Sequence, residues 1–250
     1  MKVLIDKNGL QAQTHLTDGK RLSTFLSLFG NVPDCTVEFS TEDLSDRKLL
    51  ANINLLIITT RNKAFKPEEL SAITDFVVQG GGLFLMSNHG DIPGKYDYNY
   101  TKNDAHLASQ FDVTIENTFF AHPQPKTYFT LEHTDFAKNH PVISGIHGQK
   151  AVRSIVSNNC CSLILSAGTP IISFNDQIID HRNGLPARNR YFAVALEKTE
   201  KVRDGRVVIV ADSGFVGTDG TTYPGRGMIG CGDNGSFAQN IIFWLLRLLE

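Results

Sequence analysis

Three short stretches of unbroken apolar residues constrain this chain most: Leu55-Leu56-Ile57-Ile58, Leu83-Phe84-Leu85-Met86 and Val207-Val208-Ile209-Val210. A strand with one wet face alternates apolar and polar residues. A run with no polar position has to be covered on both faces, as in a parallel sheet with helices on either side. A membrane span needs roughly 20 apolar residues. These runs, and the stretch Ile241 to Leu246 near the C-terminus, are far shorter.

A covering helix is legible at Pro67 to Val78. Pro67 suits a first turn, Glu68 and Glu69 suit the positive end, and Leu70, Ile73, Phe76 and Val77 form one apolar stripe. Asp18 to Phe29 reads as another helix, with Asp18 as N-cap, Leu22, Phe25, Leu26 and Phe29 on one face, and Gly30 as the stop. Strands are expected at Lys2 to Ile5 and Cys35 to Phe39. The first 90 residues therefore read β-α-β-β-α-β.

Beyond them, Asn103 to Gln110 reads as a helix, Val113 to Glu116 as a strand, and His122 to Pro125 as a loop. Short β-like runs follow at Thr127 to Leu131, Val152 to Val156, Ser162 to Leu165 and Ile171 to Phe174, and Asp180 to Arg190 is a polar loop. Tyr191 to Glu197 and Arg206 to Val210 flank a charged turn and read as a hairpin, and Ser236 to Leu249 as the last helix. The expectation is one α/β domain over residues 1 to 250: a three-layer, flavodoxin-like, mostly parallel sheet with extra β segments in the second half.

Composition narrows the function. Hydrophobic residues make up 41% of the 250 and charged residues 20%, which excludes wholesale disorder. The net charge of −2 carries no nucleic-acid or membrane-surface footprint. The four cysteines lack CxxC spacing, so neither a disulfide scaffold nor a zinc site is expected, and a cytoplasmic location is the expectation. The start of the chain reads as a strand and not as a signal peptide.

Glycine is unevenly placed, with eight of the 21 between Gly214 and Gly235. Gly225-Arg226-Gly227-Met228-Ile229-Gly230 matches G-x-G-x-x-G literally. A dinucleotide site also needs a strand before it and a second parallel strand after it, and only one helix remains. No cofactor is expected. The loop reads instead as a lid or a backbone donor facing Ser87 to Asp91.

Three stretches carry a family resemblance. They are Gly80-Gly81-Gly82 with its strand and the elbow Ser87-Asn88-His89, then Asn139-His140-Pro141-Val142-Ile143-Ser144-Gly145-Ile146, and then Gly205 to Phe215 followed by Asn240 to Leu245. In order and content the chain resembles the class I glutamine amidotransferase-like superfamily. It is most similar to the non-catalytic gliding-motility and intraflagellar-transport type domains, with trehalose-utilisation-type proteins next. The resemblance implies a flavodoxin-like sheet and, for this branch, sugar or ligand binding more than catalysis.

The elbow departs from the catalytic pattern. Amidotransferases place a nucleophilic cysteine on the turn after the strand that ends here at Met86, and this chain has no cysteine between Cys35 and Cys160. A serine elbow needs glycines where Leu85 and His89 stand, and the family's later His-x-Glu pair has no counterpart. Cys231 before the last helix has no histidine after it and reads as a small loop residue.

Ligands of open α/β sheets sit beyond the carboxyl ends of the strands. That puts Ser87, Asn88, His89, Asp91, Asp212 and Ser213 on the expected ligand edge, with Asp233 and Asn234 at the last helix as N-cap or ligand residues. Residues 88 to 104 also interleave Asp97, Asn99, Asn103 and Asp104 with Tyr96, Tyr98 and Tyr100, a mixture suited to sugars or a hard cation, or else a solvated polar loop. No metal-ligand spacing is present. The first functional expectation is a non-catalytic domain binding a small polar ligand or carbohydrate. The second is a hydrolase using His89 with a carboxylate or metal, and the third a scaffold or homo-oligomerisation module.

Overall fold

The computed structural model describes residues 1–41, 43–95, 99–121, 128–218 and 227–249. The strands are β1 (Lys2–Ile5), β2 (Thr36–Phe39), β3 (Leu55–Thr59), β4 (Gly82–Met86), β5 (Val113–Ala121), β6 (Tyr128–Glu132), β7 (Ser154–Asn158), β8 (Cys160–Leu165), β9 (Thr169–Ser173), β10 (Ile179–Asp180), β11 (Leu185–Pro186), β12 (Tyr191–Glu197) and β13 (Arg206–Val210). The helices are α1 (Leu10–Asp18), α2 (Ser23–Ser27), α3 (Arg47–Ala51), α4 (Pro67–Val78), α5 (Thr101–Ala108), α6 (Pro141–Ser144) and α7 (Asn234–Leu245). Among the described residues no helix is long and apolar enough to cross a membrane.

The three apolar runs sit where their composition requires. Every residue of β3, β4 and β13 is buried, so both faces of this part of the sheet are covered. The strands β2-β1-β3-β4-β13 are mutually parallel. Past β13 the sheet turns antiparallel, through β12, β8, β5, β10 and β11, with β9 also paired to β12. The result is a mixed α/β sheet, with β6 and β7 forming a separate antiparallel pair. Phe25, Phe84, Phe215 and Phe237 stack in sequence, with centroids 5.7 to 6.4 Å apart, and lock α2, β4 and α7 together.

Several expected elements differ: α3 adds a helix between β2 and β3, and β10 and β11 form at the segment Asp180 to Arg190 read as a polar loop. Asp18 ends a helix instead of starting one: α1 stops there because Gly19 takes a left-handed φ of 67° and returns its N–H to the His15 carbonyl. The Phe25–Phe29 stripe is then carried by the short α2 and a 3-10 turn at Leu28–Asn31. Strand β5 runs on to Ala121, because β10 pairs with its last residues and completes the ladder there. Tyr96, Asp97, Tyr98, the loop His122 to Pro125, and Gly225 and Arg226 of the G-x-G-x-x-G match lie outside the described residues.

Candidate functional site

The registers align the carboxyl ends of the parallel strands. Ile57 pairs with Ile5, and Met86 with both Thr59 and Val210. Asp6, Thr60, Ser87 and Ala211 therefore leave the sheet along one edge. The ladder continues for one more step, with Ser87 N–H donating to the Val210 carbonyl (2.8 Å) and Thr60 N–H to the Met86 carbonyl (2.6 Å).

The polar residues at this edge turn inward. Thr60, a β-branched residue held at φ 56°, donates its hydroxyl to Ser213 Oγ at 2.8 Å, and Asn88 Nδ2 reaches the same oxygen at 3.3 Å. Ser87 is fully buried, with its hydroxyl between the Asp104 carboxyl and the Cys161 thiol.

Beside it lies the buried guanidinium of Arg61, which donates to Glu69 Oε1 (2.7 Å), pairs with Asp6 (3.4 Å) and stacks over Phe65. Asp104 Oδ1 accepts the Arg61 backbone N–H at 2.9 Å, and Asn103 Nδ2 donates to the Arg61 carbonyl at 2.9 Å, so α5 clamps this loop from both sides. Burial pushes the Asp104 carboxyl up to about 7 against the hydrogen bond from Arg61. Burial also raises Asp6, partly offset by Arg61. Burial works the same way on Glu69, but hydrogen bonds from the Lys66 amide and Arg61 outweigh it and hold that carboxyl below its ordinary range.

Asp212 is likewise interior. It accepts from Ser157 Oγ (2.8 Å) and Gly214 N–H (2.6 Å), and burial raises its carboxyl to about 6. Cys161 points its thiol at the Ala211 carbonyl (3.3 Å), and burial drives it well above the ordinary thiol range. The elbow thus has neither an open nucleophile nor an activated thiol. Ser87, Asp212 and Ser213 all lie in the interior and not around a cleft.

Asp233 and Asn234 are drawn elsewhere. Asp233 occupies the N-cap position of α7, yet its carboxylate accepts the backbone N–H groups of Arg153 (2.9 Å) and Ser154 (3.3 Å) and pairs with Lys150. Asn234 is fully buried and acts as a strand neighbour to Val156, accepting its N–H (2.9 Å) and donating to its carbonyl (2.8 Å). Asn234→Ala should therefore cost about 2–3 kcal/mol, by stranding buried backbone groups. A urea titration should show the midpoint falling at unchanged slope.

Residues 219–226 of the glycine-rich loop lie outside the described residues, and its first flank is held in place. Thr218 N–H donates to the Arg21 carbonyl (2.9 Å), and its hydroxyl accepts the Thr24 N–H (3.1 Å), so this end is fastened to α2.

What remains open beside the elbow is a groove of about 610 Å³, lined among others by Asp91, Glu116, Asn117, Asp180, Arg182 and Asn183. Asp91 and Asn117 hold each other doubly: Asp91 N–H donates to Asn117 Oδ1 (2.7 Å), and Asn117 Nδ2 to Asp91 Oδ2 (2.8 Å). Gly90 makes this possible, because a Cβ there would sit 2.1 Å from Asn117 Oδ1. Next to the groove runs a row of half-buried rings: Tyr100, His89, Phe119 and His181, with successive centroids 5.0 to 6.3 Å apart. His89 donates Nδ1–H to the Gly90 carbonyl (2.7 Å), and burial lowers its pKa, which keeps the ring neutral.

Of the expected residues only Asn88, His89 and Asp91 stay partly exposed near this groove. Sequence reasoning missed Glu116, Asn117, Asp180, Arg182 and Asn183. The polar loop at Asp180 was visible, but nothing local marks Asn117, which sits inside a strand. Among the described residues no three His, Cys, Asp or Glu side chains form a metal-binding group. A second cavity, about 390 Å³, lies at the opposite edge of the sheet near Leu50, Phe76 and Leu245.

No protein-family model matches the chain, and no curated protein is similar to it in sequence. Solved structures are similar in fold. The N-terminal domain of mmIFT52 superposes with a TM-score of 0.70 at 11% identity, over 98% of this chain and 97% of that one. The cytoplasmic protein STM1381 from Salmonella typhimurium LT2 gives 0.59 at 15% identity, over 98% and 99%. A ThuA-like protein from Bacteroides uniformis gives 0.53 at 13% identity, over 98% and 91%. The first and third correspond to the two branches that the sequence motifs resemble, and the likeness is one of fold.

Proposed function

We propose that this chain is a single, non-catalytic domain of the class I glutamine amidotransferase-like type, flavodoxin-like in its parallel half, that binds a small polar ligand in the groove beside His89. A carbohydrate fits best. The observation that carries this reading is the pairing of the Tyr100–His89–Phe119–His181 ring row with the fixed Asp91–Asn117 amide and carboxylate. Rings that cover C–H faces beside planar hydrogen-bonding groups match the two-sided surface of a sugar. The strand order β2-β1-β3-β4-β13 supports the flavodoxin-like assignment.

Hydrolysis through His89 is the weaker reading. Its Nδ1–H is held by a backbone carbonyl, and the elbow serine is sealed from solvent. Titration calorimetry against a panel of neutral and charged oligosaccharides should find one saturable site. Asn117→Ala, which releases Asp91, should weaken binding at least about tenfold, equivalent to one or two lost hydrogen bonds. The reading fails if no saccharide binds at millimolar concentration, or if binding ignores Asn117.

A further inference from the structure

We infer that the amino-terminal edge of the parallel sheet, opposite the elbow, binds an anionic amphiphile: a fatty carboxylate with its chain in one cavity and its head in the next. The cavity of about 390 Å³ on this edge lies between α3, α4 and the end of α7. Leu50, Ile53, Ala72, Phe76, Leu245 and Leu246, all buried, form its apolar wall. Its size falls within the usual range of small-molecule pockets, about 300–1,000 Å³. On its rim the Asp75 carboxylate is already paired with Arg47.

A further cavity, about 330 Å³, abuts the first. Arg247 lines both. The Gly81 carbonyl of the first accepts the Arg206 N–H of the second at 3.3 Å, and a Cβ on Gly80 would lie 3.9 Å from the Asp204 carbonyl oxygen.

This further cavity is cationic, in a chain whose net charge is −2: Lys198, Arg203, Arg206 and Arg247 line it against Glu197 and Asp204. Two of the four basic side chains serve the fold. Arg206 is buried over Trp244 and donates to the Trp244 carbonyl (2.8 Å) and to Glu197 (3.3 Å), and Arg247 donates to the Asp204 carbonyl. Lys198 and Arg203 are exposed, and among the described residues neither forms an ion pair. Both sit in the turn between β12 and β13 at left-handed φ values of 55° and 45°, where glycine or asparagine would cost less. The turn thus keeps two cations at a backbone cost, next to an apolar cavity. A chain lying on the Phe76–Leu245 wall meets them at its end, which favours a carboxylate over a neutral or cationic head.

The test is calorimetry on the unmodified chain at about pH 7, where a carboxylate is ionised and an amine protonated. The probes are hexanoate, octanoate and decanoate below their micelle-forming concentrations, with decanol and decylammonium as head-group controls. One molecule should bind per chain, and affinity should rise about three- to fourfold for each added methylene. Decanoate should bind at least about tenfold tighter than decanol, with decylammonium weakest. Added salt should narrow the gap between decanoate and decanol. Lys198→Gln combined with Arg203→Gln should bring decanoate down to the level of decanol. Ala51→Phe, which fills the apolar cavity from its rim, should weaken all the probes about tenfold. All three positions are exposed, so both variants should fold. Affinity that ignores chain length, or that survives Ala51→Phe, overturns the apolar seat. Decanol binding as tightly as decanoate overturns the cationic head site. No saturable binding at millimolar concentration overturns the inference as a whole.

Discussion

Arg61→Met should cost this protein about 3–5 kcal/mol of stability, the usual penalty for removing one partner of a buried ion cluster. The guanidinium is wholly enclosed, and it faces Glu69 and Asp6 while its backbone supports Asp104. Methionine keeps the apolar stem over Phe65 but leaves buried carboxylates without a cation. Removing the carboxylates together with the arginine should recover part of the loss, because an apolar cluster of similar volume is often no worse than a buried salt bridge. The loss in the single variant should shrink under mild acid, as Asp6 and Asp104 take up protons. Denaturant unfolding of Arg61→Met, and of the triple variant with Asp6→Asn and Glu69→Gln, measures this. A loss under about 1 kcal/mol would mean that Arg61 is dispensable to the edge.

Asp104 gives the second large effect, and it depends on pH. Its folded-state carboxyl titrates near 7, against 3.8 for the unfolded chain. The native state therefore holds a proton that the unfolded state releases, so stability falls as pH rises from about 4 to about 7 and is level above that. The difference amounts to roughly 4 kcal/mol. Asp212, raised to about 6, works in the same direction. Glu69 and Asp233, both lowered, work in the opposite direction and cost stability only as pH drops below the ordinary carboxylate range. The melting temperature should thus climb on going from about pH 8 to about pH 6. Below that, His140, which burial lowers to about 4, and His89, also lowered by burial, oppose the carboxyls, because the unfolded chain takes up their protons first. The curve therefore flattens, and then declines below about pH 4. Asp104→Asn should flatten most of the climb and be the more stable protein at about pH 8. The asparagine still accepts the Arg61 N–H and brings a neutral donor toward the Ser87 hydroxyl that faces this carboxyl. A variant that keeps the full wild-type pH profile would show that Asp104 is ionised throughout.

The fold was more legible than the site. The helix at Pro67 to Val78 matches α4 residue for residue, because its cap, charge pattern and stripe all act within one segment. The hairpin of β12 and β13 was readable for the same reason. The start of the chain was not: Gly19 ends α1, whose apolar stripe is too weak to announce a helix.

Ser87 and Asp212 do follow the carboxyl ends of the parallel strands, yet their accessibility was not readable. Whether Ser87 or Asp212 meets solvent depends on what crosses above them. That is decided by Asp104 on α5, Ser157 on β7 and Cys161 on β8, segments separated along the chain. Asn117 joins the groove only because β5 lies against the elbow at Gly90.

The sequence alone determined that β3, β4 and β13 lie in the covered middle of a sheet, since an unbroken apolar strand is stable only when both faces are dry. It also determined that the elbow carries no cysteine. Only the tertiary structure decided that the elbow's polar residues face inward and that the open surface lies beside Asp91. The desolvation of a side chain is set by neighbours brought in from distant parts of the chain, and no local spacing records them.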